Sequence, residues 1–118
     1  MKKSLIDMLS AIKNGYVSKK ISIHSKNSNL NRNILNLLYN EGYIRGYIIK
    51  NNTLEILLKY HNNQSVIREI VNISKPGNKK YINKSNNNKL DKNKIYITSN
   101  SNGISSSDFH GELLFSIK

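Results

Sequence analysis

Apolar positions along the chain change their period several times, and each change marks an element. Between residues 4 and 14, Leu5, Met8, Leu9 and Ile12 recur at helical spacing, which predicts a helix with one apolar face. Ser4 followed by Asp7 resembles a capping box with Asp in place of Glu, and Asn14-Gly15 reads as the stop. Lys19–His24 alternates as a short strand does. Leu30, Ile34, Leu37 and Leu38 return to helical spacing over residues 29–40, with Ser28 as N-cap and Glu41-Gly42 as stop. Residues 43–49 and 54–60 read as two strands, with Asn51-Asn52 as the hairpin turn between them. The first half therefore reads α-β-α-β-β.

After a polar break at residues 61–64 the pattern becomes β-rich. Val66–Ile73 suits a strand, with a short helix as the alternative, Ser74-Lys75-Pro76-Gly77 a turn, and Lys79–Ile82 a second short strand. Residues 83–94 have Leu90 as their one large apolar side chain and read as an exposed, mobile loop. Ile95–Thr98 and Leu113–Ile117 read as strands, separated by the Ser/Asn/Gly run at 99–107. The expected fold is α+β in two small lobes, an N-terminal α-β-α-β-β lobe at 1–63 and a C-terminal β-rich lobe at 64–118. No internal repeat is present.

Composition narrows the function. Nineteen Lys and Arg face 7 Asp and Glu, a net charge of +12 on 118 residues. Such an excess seeks a polyanion, either nucleic acid or an anionic membrane surface. Residues 75–94 alone carry Lys75, Lys79, Lys80, Lys84, Lys89, Lys92 and Lys94 against Asp91. The start, Met1-Lys2-Lys3-Ser4-Leu5-Ile6, opens like a signal peptide, but Asp7 and Lys13 interrupt the apolar core that one requires. No span is long enough to cross a membrane. With no Cys, disulfides, thiol nucleophiles and Cys-based zinc sites are excluded. The 20 Asn, 17 Ile and 16 Lys all have A/T-rich codons, which points to an A+T-rich genome. A lone Asn is therefore weak evidence of a site.

Catalytic chemistry finds little support. His24, His61 and His110 lie far apart, and none has a metal-ligand partner one helical turn away. No phosphate-binding or dinucleotide fingerprint occurs, so no cofactor is expected. A small hydrolase built on a serine of the 99–107 run with His110 and Asp108 is the enzymatic alternative, and Asp108 with Glu112 is the available carboxylate pair. The sharper feature is Ser99-Asn100-Ser101-Asn102-Gly103, which collects hydroxyls and amides after a strand. Such short polar groups suit base edges and sugar hydroxyls where an RNA helix is irregular. An ordinary polar turn has the same composition.

Six segments, in order, resemble the small-subunit ribosomal protein eight family. They are Ile6-Asp7-Met8-Leu9-Ser10-Ala11-Ile12-Lys13-Asn14-Gly15, Leu37-Leu38-Tyr39-Asn40-Glu41-Gly42-Tyr43-Ile44 and Leu54 to Tyr60 in the first half. In the second half they are Ile73-Ser74-Lys75-Pro76-Gly77 followed by Tyr81, then Ser99-Asn100-Ser101-Asn102-Gly103-Ile104, then Gly111-Glu112-Leu113-Leu114. The fifth resembles the family's Ser-Thr-Ser-x-Gly-Val loop with Asn100 in place of Thr. Three departures stand out. Ser105–His110 is too short for the family's helix there, His110 stands where the first of two glycines belongs, and residues 83–94 lack the usual proline and glycine.

The resemblance implies a non-enzymatic component of the small ribosomal subunit that binds a stem in the central domain of its rRNA and supports assembly. It assigns recognition of the stem to Ser99, Asn100, Ser101, Asn102 and Gly103, then to Lys75, Gly77 and Tyr81, with Glu112 supporting the loop. In the N-terminal lobe it favours phosphate contacts by Ser10, Lys13, Asn14, Lys26, Ser28 and Asn31. It further implies contact with neighbouring ribosomal proteins, notably protein five. The match starts within the first few residues and leaves no room for a transit peptide. With the codon bias, this favours synthesis inside an organelle such as a mitochondrion, an A+T-rich bacterium being the alternative. A free RNA-binding regulator on the same fold is the other functional alternative.

Overall fold

A computed structural model describes residues 3–74, 81–82, 94–100, 103–105 and 111–118. Among these residues the fold is mixed α+β, with two helices and several antiparallel strands. The chain divides into two compact units, Lys3–Arg68 and a second that begins at Glu69.

In the first unit, helix α1 (Lys3–Val17) is followed by strand β1 (Ser22–Lys26), helix α2 (Asn29–Asn40), and strands β2 (Ile44–Lys50) and β3 (Thr53–Leu58). The strand order is β1-β3-β2, antiparallel throughout. Both helices cover one face of this sheet, α1 over β1 and β3, α2 over β2. β3 alternates buried and half-buried positions, and Leu54, Ile56 and Leu58 enter the core. There they join Leu5, Met8, Leu9 and Ile12 of α1 and Ile34, Leu35 and Leu38 of α2. The periods of 2 and 3.6 thus face each other across one apolar layer.

α1 continues past the expected stop at Asn14-Gly15. Gly15 permits close packing instead of ending the helix: a Cβ there would lie 2.6 Å from Ile23 Cγ2 and 2.9 Å from Leu58 Cδ1. The helix ends at Val17, two residues after Gly15, and Lys19 just beyond it has φ +56°. The Lys19 and Lys20 amides donate to the carbonyls of Tyr16 (3.2 Å) and Gly15 (2.9 Å), the bond pair of a Schellman cap. The Tyr60 hydroxyl donates to the Lys20 carbonyl at 2.7 Å. The Tyr16 hydroxyl donates to the Tyr43 carbonyl (2.8 Å) and accepts from the Lys59 amide (3.1 Å). Burial pushes the Tyr16 hydroxyl pKa above its ordinary value.

Asn51-Asn52 joins β2 to β3 as expected, with Lys50 opposite Thr53 and Asn51 at φ +54°. The expected break at 61–64 is itself a small hairpin, β4 (Tyr60–His61) with β5 (Gln64–Ser65). Asn62 and Asn63 have φ of +52° and +64°, as a type I′ turn demands.

The second unit holds β6 (Ile70–Asn72), β7 (Tyr81–Ile82), β8 (Ile95–Asn100), β9 (Gly103–Ser105) and β10 (Gly111–Ile117). The order is β6-β10-β8-β9, with β7 also pairing β10. Of the strand expected at 66–73, residues 70–72 form one. Just before them, Glu69 exchanges two backbone hydrogen bonds with Lys118. Among the described residues of this unit, Ile70, Ile97, Leu113, Leu114, Phe115 and Ile117 are buried. Lys75-Pro76-Gly77, residues 79–80 and the basic loop at 83–93 lie outside the described residues.

Candidate nucleic-acid interface

The second unit's sheet brings together positions that are distant in sequence. Tyr81 on β7 pairs with Glu112 on β10, Glu112 pairs with Ser99 on β8, and Ser99 pairs with Ile104 on β9. Directly opposed residues of antiparallel strands lie on one face, so Ser99 and Glu112 share a face. Both are half-buried.

Ser99 and Asn100 are strand residues rather than loop residues, and Gly103 begins the next strand. The expected loop is therefore a tight hairpin in which Asn100 pairs with Gly103. The polar composition of this run argues against a strand, yet backbone ladders to β10 on one side and β9 on the other hold it extended. Gly103 adopts φ +115°, a conformation that strains any residue with a Cβ. Among the described residues, nothing lies within 4 Å of where its Cβ would stand.

One residue from Glu112, β10 is irregular. Leu113 pairs with Thr98 and Phe115 with Ile97, which leaves Leu114 as an extra residue. Its carbonyl accepts from the amides of Ile73 (3.0 Å) and Ser74 (3.2 Å). The Ser74 hydroxyl, fully buried, donates to the Leu113 carbonyl at 2.6 Å. Sequence reasoning used Ser74 as the first residue of a turn and missed this anchoring role. Its position directly before Lys75-Pro76-Gly77 was the available signal. Lys75, Gly77, Ser101 and Asn102 lie outside the described residues, as do Asp108 and His110 of the hydrolase alternative. Lys94, the last lysine of the basic run, forms an ion pair with Glu69 at 3.1 Å.

In the first unit, Lys3, Asp7, Ser10 and Asn14 follow one another at spacings of four, three and four, and so form one stripe along α1. Ser10, Lys13 and Asn14 are exposed. At the Lys3 end the stripe meets an open cavity of about 410 Å³, lined by Lys3, Ser4, Asp7, His24, Ser25 and Lys26. Lys26 is thereby brought beside the end of the Ser10 stripe. His24 and Ser25 are additions that linear reading did not supply, since they meet Lys3 only when α1 packs on β1.

Ser28 is half-buried and acts as the N-cap of α2, accepting from the Asn31 amide at 3.2 Å. Asn31 does not fit the expected phosphate contact, because it is fully buried. Its Nδ2 donates to the carbonyls of Lys26 (3.0 Å) and Ser4 (3.4 Å), tying the start of α2 to the end of β1 and the start of α1. It therefore holds the backbone of Ser4 and Lys26, two residues that line the cavity. Among the described residues, no cluster of His, Asp or Glu could hold a metal ion, and no helix is long and apolar enough to cross a membrane.

A family model described as "Ribosomal protein S8" matches residues 3–110. Small ribosomal subunit protein uS8m of Acanthamoeba castellanii is 44% identical over 79 residues, 66% of this chain and 62% of that protein. Small ribosomal subunit protein uS8 of Buchnera aphidicola subsp. Cinara cedri is 44% identical over 89 residues, 73% of this chain and 68% of the relative. The uS8 protein of Rhizobium etli is 43% identical over 81 residues, 64% of this chain and 61% of the relative. The chain thus spans a little under two thirds of the first and third of these proteins.

Proposed function

The chain belongs to the ribosomal protein S8 family, and from that membership we propose that it is a structural component of the small ribosomal subunit. It binds a stem in the central domain of the small-subunit rRNA, supports assembly there, and performs no chemistry. The register row that unites Tyr81, Glu112 and Ser99 at the Asn100–Gly103 hairpin carries this reading most strongly. The short hydroxyl of Ser99, set in this row beside the glycine at the hairpin, suits an irregular RNA segment, where bases and 2′-hydroxyls are accessible. Ser99, Asn100, Ser101, Asn102 and Gly103 make the recognition contacts. Lys75, Gly77 and Tyr81 approach from the neighbouring turn and strand, and Glu112 supports the row.

The first unit adds phosphate contacts through Ser10, Lys13, Asn14 and Lys26, with Ser28 fixing the approach of α2. The lysine excess supplies affinity that does not depend on sequence. Neighbouring ribosomal proteins, protein five among them, complete its surroundings. Synthesis inside an organelle, most simply a mitochondrion, is supported by the codon bias and by the similarity to uS8m.

Filter binding to the central-domain stem and to a plain duplex of equal length tests the assignment. Ser99→Ala with Ser101→Ala should weaken stem binding by roughly 1–3 kcal/mol, at about 0.5–1.5 kcal/mol per hydrogen bond removed. Duplex binding should stay unchanged. Equal losses on both RNAs, with the fold intact, would remove the serine row as the recognition element.

A further inference from the structure

β10 has different neighbours at its two ends. On the side away from β8, Phe115, Ser116 and Ile117 pair with β6, while Gly111 and Glu112 pair with β7. Leu113 and Leu114 lie at the changeover. On the other side, β8 slips by one residue at the same place, between Leu113 and Phe115. At Leu114 the regular ladder is interrupted on both edges, by a change of partner on one side and a one-residue bulge against β8 on the other. A one-residue slip would move Glu112 off Ser99 and turn it to the opposite face. Contacts made at the bulge itself therefore bear on the register of Glu112.

Ser74 occupies that gap. Its amide and that of Ile73 converge on the Leu114 carbonyl, and its hydroxyl donates to the Leu113 carbonyl at 2.6 Å. The side chain is fully buried, so water cannot substitute for it at the surface. The same residue is followed directly by Lys75-Pro76-Gly77. We propose that Ser74 is a positioning residue for recognition: by clamping the β10 bulge it sets Glu112 opposite Ser99, and thereby holds the serine row in its RNA-binding register. The inference rests on the serine-row reading above, and Ser74 itself touches no RNA.

The test measures binding of the full chain to the central-domain stem and to a plain duplex, for Ser74→Ala, Ser99→Ala and the double variant. Ser74→Ala should lose about tenfold on the stem, the scale of one buried hydrogen bond, and leave duplex binding and its salt dependence as in the parent. The double variant should lose less than the two singles combined, because Ser74 acts through Ser99. In the free protein, amide exchange at Ser99 and Glu112 should quicken, while exchange in the Lys3–Arg68 unit stays as in the parent. Should Ser74→Ala not fold, Ser74→Cys takes its place, since it keeps the volume and leaves only a weak donor. Equal losses on both RNAs, or fully additive losses in the double variant, would overturn the proposal. If Ser99→Ala impairs stem binding and Ser74→Ala does not, this inference falls alone. If Ser99→Ala leaves stem binding intact, the serine-row reading falls with it.

Discussion

Glu55 sits on the face of the first sheet that points away from the helices, and three neighbouring side chains define its chemistry. Lys50 Nζ lies 3.2 Å from Oε1, His24 Nε2 lies 3.7 Å from Oε2, and the Ser22 hydroxyl donates to Oε2 at 3.4 Å. The Lys50 hydrogen bond, with the nearby positive charge, holds this carboxyl below its ordinary value of 4.5. A folded value below the unfolded one means that stability from the ionised form is complete above about pH 4.5 and is lost as pH falls through the folded value. The stability difference between the parent and Glu55→Gln, read from urea unfolding, should therefore shrink on acidification. It should be small throughout, because Lys50 and His24 are solvent-exposed. A difference that grows as pH falls would contradict the assignment. The asparagines teach a related lesson. An A+T-rich composition makes each one look like filler, yet Asn51, Asn62 and Asn63 take the left-handed conformation that their turns require. Asn31 joins three elements from a buried position. Asn51 was legible as part of the Asn51-Asn52 turn, whereas composition hid the turn roles of Asn62 and Asn63 and the buried role of Asn31, because the same residue type is common where it does nothing.

Elements whose apolar period matched a single buried face were legible. α2 and its Ser28 cap, the helical face of α1, and the β2–β3 hairpin all follow from local pattern, since each buries one side against one layer. Elements held by distant partners were not. β8 extends through Ser99 and Asn100 because β9 and β10 pair with it, and no local preference signals that. The end of α1 was misplaced because Gly15 resembles a stop, whereas the real cap uses Lys19 in a conformation that favours glycine. Gly15→Ala separates these two roles. A gain of about 1 kcal/mol in helix propensity opposes overpacking against Ile23 and Leu58, which costs roughly 1–3 kcal/mol. Thermal or urea unfolding should show a net loss of stability. A clear gain would mean that α1 does not approach the sheet this closely. The candidate interface follows the same division: its residues were readable as motifs, but the row that unites them exists only through strand register.

At the scale of the whole molecule, a net charge of +12 gives the proposed association with RNA a strong electrostatic component. The lysines and the serine row should therefore respond to different perturbations. Lys79→Ala with Lys80→Ala should weaken binding to stem and duplex alike and flatten the dependence on salt, by about one unit of slope for each phosphate no longer neutralised. Selective loss on the stem alone would place these lysines in recognition instead. Charge by itself also fits a free RNA-binding regulator, which makes residence in the particle the deciding property. The most direct test is sedimentation of ribosomal subunits from cells expressing the tagged full chain, through a gradient at high salt. A structural component held by recognition contacts as well as by charge should travel with the small subunit at near-stoichiometric occupancy. Release of the chain to the top of the gradient, with other small-subunit proteins retained, would contradict the account.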